Sequence, residues 1–176
     1  MSDARLEPRP PVGGELAHVR AYLDFYRATL VAKCRSLPVA EQRRGRLPSG
    51  WTPLELLDHV AHMEQRWFVW GFLGEPVTDP WGDSSGGPDR PWHVPADRGL
   101  DHVVAFLDEQ ASRTASVLLT HAPEDVAATT GRFAGTTPPD LPPDLRWICF
   151  HVLQEYARHA GHLDAAVELA GGHTGE

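Results

Sequence analysis

A helical stripe late in the chain constrains its fold more than any other feature. Leu145, Ile148, Cys149, Val152, Tyr156, Ala160, Leu163, Val167 and Ala170 recur mostly at three- and four-residue steps, the periodicity of one helix face. Glu155 and His159 lie beside that face, four residues apart and therefore one above the other. A carboxylate and an imidazole turned towards an interior are costly unless something pairs with them. A divalent metal is one such partner, and Glu-x-x-x-His on a helix is metal-ligand spacing. Two ligands are too few to hold an ion, so another part of the chain has to supply a third.

Three further amphipathic patterns precede this one. Leu16, Val19, Leu23, Tyr26, Leu30 and Val31 predict a first helix over about 15–37, after a loose, proline-bearing arm at 1–14. A polar connection over 38–50 follows, part of which (39–44) is compatible with a helical turn. The second helix has a sharp start: Thr52-Pro53-Leu54-Glu55 combines a Thr N-cap, Pro at the first helical position and Glu three residues after the cap. It is expected to run to about Leu73 and stop at Gly74. Its inner stripe is Leu56, Val60, Met63 and Trp67, with His59 within it. A third helix is expected over about 97–121 and the fourth over 144–170, ended by Gly171-Gly172. The connections at 74–96 and 122–143 are rich in Gly and Pro. Connections this long are usually functional or disordered, and Trp81 and Trp92 favour a first loop packed down over something. Four long amphipathic helices and no convincing strand alternation predict an all-α four-helix bundle with long crossover loops, a single domain over 15–172.

Composition sets the class of partner. A net charge of -8 argues against nucleic acid or an anionic membrane, and no stretch approaches a membrane-spanning apolar run. Met1–Pro11 has no apolar leader core, so a cytoplasmic location is expected. Cys34 and Cys149 both fall within helical apolar patterns and read as buried, reduced thiols.

His59 is the best third ligand, because bundle metal sites are built from facing helices. Two His and one carboxylate leave a coordination position free, as in catalytic zinc sites and the facial ligand set of non-haem iron. A lone core histidine is more often a satisfied polar group, and ten histidines offer many chance spacings. His62, three after His59, and His151, four before Glu155, are alternatives ranked below the chosen three. His162, three past His159, is a candidate catalytic proton carrier near the metal or simply a part-exposed helix histidine. Arg66 and Arg158 suit an acidic substrate but read more simply as solvated helix edges. Trp67 reads as core, and Trp81 and Trp92 as cleft walls.

Two segments carry a resemblance. Trp51-Thr52-Pro53-Leu54-Glu55-Leu56-Leu57-Asp58-His59, with its Trp eight residues before the His, resembles the second-helix signature of the DinB-like metalloprotein superfamily. The stretch from His151 through Glu155 and His159 to His162 resembles that superfamily's fourth-helix signature, in an actinobacterial branch. The likeness extends over about residues 15–170. Most of the superfamily carries a His-x-x-x-His pair in the last helix, and here the first of that pair is Glu155. The mycothiol-dependent maleylpyruvate isomerases are similar in having Glu at this place. The resemblance implies an up-down-down-up bundle and a bound divalent metal, zinc or nickel, held by His59, Glu155 and His159. It further implies a role in joining a low-molecular-weight thiol of the mycothiol type to a small-molecule substrate.

The leading expectation is therefore a metal-dependent thiol S-transferase or isomerase-like enzyme. The alternatives are a non-catalytic metal-binding or stress-response protein, a small-ligand binding module, or a metal hydrolase using a bound water with His162 as base. Aromatic-rich loops and the resemblance together admit a homodimer.

Overall fold

The computed structural model describes residues 7–9, 13–84, 92–137, 141–172 and 174. Among them are four long helices: α1 (Glu15–Ser36), α3 (Pro53–Glu64), α4 (Leu100–Thr120) and α5 (Leu145–Leu169), with a short α2 (Val39–Gln42) at the expected helical turn. The only β pairing among the described residues is an isolated bridge between Val126 and Asp144. The first ten or so residues lie largely outside the described part, but Glu7 is held, accepting a hydrogen bond of 2.9 Å from the Tyr22 hydroxyl.

Helix starts follow the sequence closely. Thr52 Oγ1 accepts from the Glu55 amide at 3.2 Å, and Glu55 returns the favour by accepting from the Thr52 amide at 2.9 Å. This reciprocal cap satisfies two otherwise orphaned donors. Asp144 caps α5 by accepting from the Trp147 amide at 2.8 Å. Helix α4 begins three residues later than expected, at Leu100, because the chain first turns through Pro95–Arg98.

The second helix departs from expectation at its C-terminal end. Residues Gln65–Phe72 form a π-helix continuing α3, closed by the Leu73 amide bonding to the Phe68 carbonyl. Such wide turns are rare and cluster at functional sites. Here the turn carries Arg66, Trp67 and Trp70. Gly74 then ends it with φ +64°, where an added Cβ would lie 2.7 Å from the Ala128 side chain. Glycine is needed there for both conformation and space.

Side-chain pairs fix the helix directions. α1 meets α5 start to start through Glu15–Arg146 and end to end through Lys33–Asp164, so the two are parallel. α3 opposes both: Pro53 at its start meets Cys34 at the end of α1, His59 faces His159, and Trp67 faces His151 and Trp147. α4 runs parallel to α3, since His62 meets Phe106 and Phe72 meets His121. The bundle is therefore up-down-down-up. Parallel neighbours explain the long 73–99 connection, because the chain has to retrace a helix of 21 residues, about 30 Å at 1.5 Å per residue.

Leu23, Leu30, Leu56, Val60, Leu107, Ile148, Val152 and Leu163 are fully buried between the helices, each contributing about 1.5–3 kcal/mol through burial. Within this apolar core sits one carboxylate. Glu64 is 0% exposed and accepts from Arg27 Nε at 3.0 Å, Arg27 Nη2 at 2.5 Å, Thr114 Oγ1 at 2.5 Å and the Tyr156 hydroxyl at 2.6 Å. One residue thus ties α3 to α1, α4 and α5. Burial, with Glu64 beside it, pushes the Tyr156 pKa well up, so the hydroxyl stays a donor. No helix among the described residues is long and apolar enough to cross a membrane.

Candidate metal centre

His59 reaches the bundle interior from the middle of α3, and Glu155 and His159 from successive turns of α5. Antiparallel packing of these helices brings the three together: one donor atom from each lies within 4.8 Å of the others. Glu155 Oε2 and His159 Nε2 are 3.2 Å apart, close to the roughly 3.3–3.5 Å that separates two ligands held 2.0–2.2 Å from one tetrahedral ion. The side chains of His59 and Glu155 are 15% and 21% exposed, so the cluster is reached from solvent.

The protonation states suit a cation. Burial, reinforced by His59, His162 and Arg158, pushes His159 down to about 3, so its imidazole is neutral at ordinary pH and has a lone pair to give. His59 Nδ1 lies 2.7 Å from Asp83 Oδ2. Asp83 accepts, so Nδ1 carries the proton and Nε2 is left as the donor to a metal. Burial alone would raise Asp83, but hydrogen bonds from His59 and Arg66 outweigh it and hold the carboxyl below its usual range. Arg66 binds Asp83 through both terminal nitrogens, at 2.6 and 3.3 Å.

Sequence reading did not find this support. Asp83 sits in a 3₁₀ turn, Gly82–Ser84, within the Gly/Pro-rich loop, where no periodicity marks an inward residue. The same loop lays Trp92 on the His59 ring, stacked at 4.1 Å and 21°, and edge-on to His159 at 5.5 Å. Asp83 and Trp92 thus fix His59 from its edge and its face. Arg66, read as a solvated edge, is instead buried and occupied by Asp83; Arg158 is exposed. Replacing Asp83 by Ala is expected to weaken metal binding about 10–100-fold, the usual effect of removing an outer partner of a ligating histidine. Competitive titration with a chromogenic chelator reads that loss directly.

The remaining histidines separate cleanly. His62 is turned towards α4, with its ring 4.7 Å from Phe106, and does not join the cluster. His151 stacks on Trp147 at 5.2 Å, with Nε2 3.9 Å from Glu155 Oε1, beside the triad but outside it. His162 is exposed, its ring 5.5 Å from that of His159 and 6.4 Å from Trp51. Trp67 is not simple core. It faces Phe133, Trp147 and His151, and the Arg132 guanidinium lies 4.3 Å from its ring centre. Cys34 and Cys149 are free and buried, and burial pushes both thiols up to about 12.

These residues can hold a divalent ion with two neutral imidazoles and one carboxylate, with a coordination position left over. No curated protein sequence matches the chain. A family model described as mycothiol-S-transferase matches residues 18–172, which include all four long helices apart from the first turn of α1. The chain therefore belongs to the mycothiol-S-transferase family.

Proposed function

We propose that this protein is a divalent-metal-dependent enzyme that transfers a low-molecular-weight thiol, of the mycothiol type, to an electrophilic carbon of a small-molecule substrate. The observation that carries the reading is the His59–Glu155–His159 cluster: three convergent donors, two of them part-exposed, in a chain of this family. A purely structural ion is normally enclosed by four protein ligands, whereas three leave room for an exogenous one. Zinc is the ion we favour for this donor set, with nickel and iron next.

A bound divalent ion supplies the charge that lets a thiol persist as thiolate near neutral pH, where a free thiol has a pKa of about 8.5. His59, Glu155 and His159 act as ligands, not as bases. Asp83 and Trp92 hold His59 in its tautomer and orientation. In the transfer itself a C–S bond forms, and the bond to the leaving group breaks, or the electron pair of an activated double bond shifts. His162 is proposed to carry away the thiol proton, supported by its exposure and its nearness to His159. Cys34 and Cys149, buried and held as thiols, are not nucleophiles.

The test is spectroscopic. Cobalt-loaded protein carrying Cys34→Ala and Cys149→Ala is expected to gain a sulfur-to-cobalt charge-transfer band on titration with mycothiol. The same titration of a Glu155→Ala variant should give none. A spectrum unchanged at saturating thiol would sink the thiol-transfer reading and leave water activation or simple metal binding as the better account.

A further inference from the structure

Arg132 stands apart from the other buried and half-buried arginines among the described residues. Arg27, Arg66, Arg113 and Arg146 each meet a carboxylate, and Arg43 donates to the backbone carbonyls of Val94, Pro95 and Arg98, in a chain with more acidic than basic residues. Arg132 is half-buried and, among the described residues, meets no carboxylate at all. Its guanidinium lies instead 4.3 Å from the centre of the Trp67 ring, 5.6 Å from Trp81 and 5.9 Å from Trp70, within the range of cation–π attraction. Three indoles thus hold a cation in place without neutralising it.

The backbone is shaped to bring it there. Arg132 lies in a 3₁₀ turn, Gly131–Phe133, that packs on the π-helix. Gly131 has φ +58°, and a Cβ there would collide with the Trp70 carbonyl. Gly71 faces the same turn, its Cβ position 3.4 Å from the Phe133 ring and 3.7 Å from Arg132 Cδ, ordinary contact distances. Glycine at 131 therefore permits the close approach of this turn to the π-helix.

Contacts run from the metal-ligand cluster to Arg132 along two routes. One passes from Glu155 to His151 at 3.9 Å, from His151 to Trp67 at 4.3 Å, and from Trp67 to Arg132. The other passes from His59 to Asp83 and Arg66, and from Arg66 to Trp81, whose ring lies 4.7 Å from the Arg66 guanidinium. Arg66 is already neutralised by Asp83; Arg132 is not. A guanidinium donates hydrogen bonds in a fork that matches a carboxylate, and the indole walls suit an aromatic or otherwise flat body.

We propose that Arg132, in its frame of Trp67, Trp70 and Trp81, is the specificity residue that binds a carboxylate on the electrophilic substrate. The substrate class is then a flat organic acid whose carboxylate pairs with Arg132 while its reactive carbon lies towards Glu155 and His59. For the reaction, this rests on the thiol-transfer reading; for binding, it does not.

The experiment exploits that difference. Metal-loaded protein in chloride-free buffer is titrated with 3-nitrobenzoate and with its neutral counterpart 3-nitrobenzamide, and binding is read by quenching of tryptophan fluorescence. Wild type is expected to bind the acid about tenfold or more tightly than the amide, the size of one charge-assisted hydrogen bond. Arg132→Gln should bring the two affinities together, chiefly by weakening acid binding, and Arg132→Lys, which keeps the charge, should retain part of the preference. Equal affinities in wild type, or an acid preference that survives in Arg132→Gln, would overturn the proposal. So would loss of the preference in Arg132→Lys accompanied by a fall in melting temperature, which assigns the arginine to structure. No thiol is present in this assay, so its outcome is independent of the cobalt titration.

Discussion

Replacing His159 by Ala is expected to abolish a metal-dependent rise in melting temperature. An ion that binds only the folded state stabilises it by RT ln(1 + [L]/Kd), about 2.7 kcal/mol at one hundred times Kd. Losing one ligand of three costs more affinity than losing an outer partner, and so more than about a hundredfold. At the metal concentration that gives the wild type its full response, the variant would gain less than about 0.4 kcal/mol. His159 is the right residue to test because its ring is 7% exposed and neutral, with Nε2 3.2 Å from Glu155. Without the ring, Glu155 and His59 remain as a part-exposed pair. Differential scanning with and without zinc gives the melting response, and elemental analysis gives the stoichiometry. Metal content unchanged in His159→Ala would count directly against the triad.

Glu64→Ala is expected to be the most destabilising single substitution, at about 3–5 kcal/mol, because it leaves a buried arginine without its counter-charge. Arg27 has a side chain only 8% exposed, and Asp24, its other carboxylate at 2.7 Å, is 58% exposed and well solvated. The hydroxyls of Thr114 and Tyr156 lose their acceptor in the same stroke. For a domain of this size the loss lowers the melting temperature by about 2–4 °C for each kcal/mol. Tyr156→Phe removes one donor and leaves the ion pair, so it should cost only about 1 kcal/mol. Chemical denaturation of both variants separates these effects. A Glu64→Ala protein as stable as Tyr156→Phe would show that the buried pair contributes nothing beyond its hydrogen bonds. Because Glu64 lies a little over one turn beyond His59, and Tyr156 directly follows Glu155, the network also fixes the two helices that carry the candidate metal ligands.

The four long helices were legible from the chain alone because each is a local, repeating pattern. Apolar residues at three- and four-residue steps report a face whatever packs against it, and the Thr52 cap marks where one of them begins. His59, Glu155 and His159 were legible for the same reason, since their positions beside apolar stripes set which way they point. Reading Arg66 as a solvated edge failed because periodicity gives direction but not partners. Asp83, Trp92 and Arg132 sit in loops, where successive residues obey no period and orientation is set by distant contacts. Asp83 is 24 residues from the histidine it supports, and Arg132 meets three tryptophans on two other segments. Glu64 is separated by 37 residues from Arg27 and by 92 from Tyr156. The sequence by itself determined the helices and which side chains point inwards. Only the tertiary structure decided which of those groups neutralise one another and which, like Arg132, keep an uncompensated charge, because that depends on which helices and loops come to lie side by side.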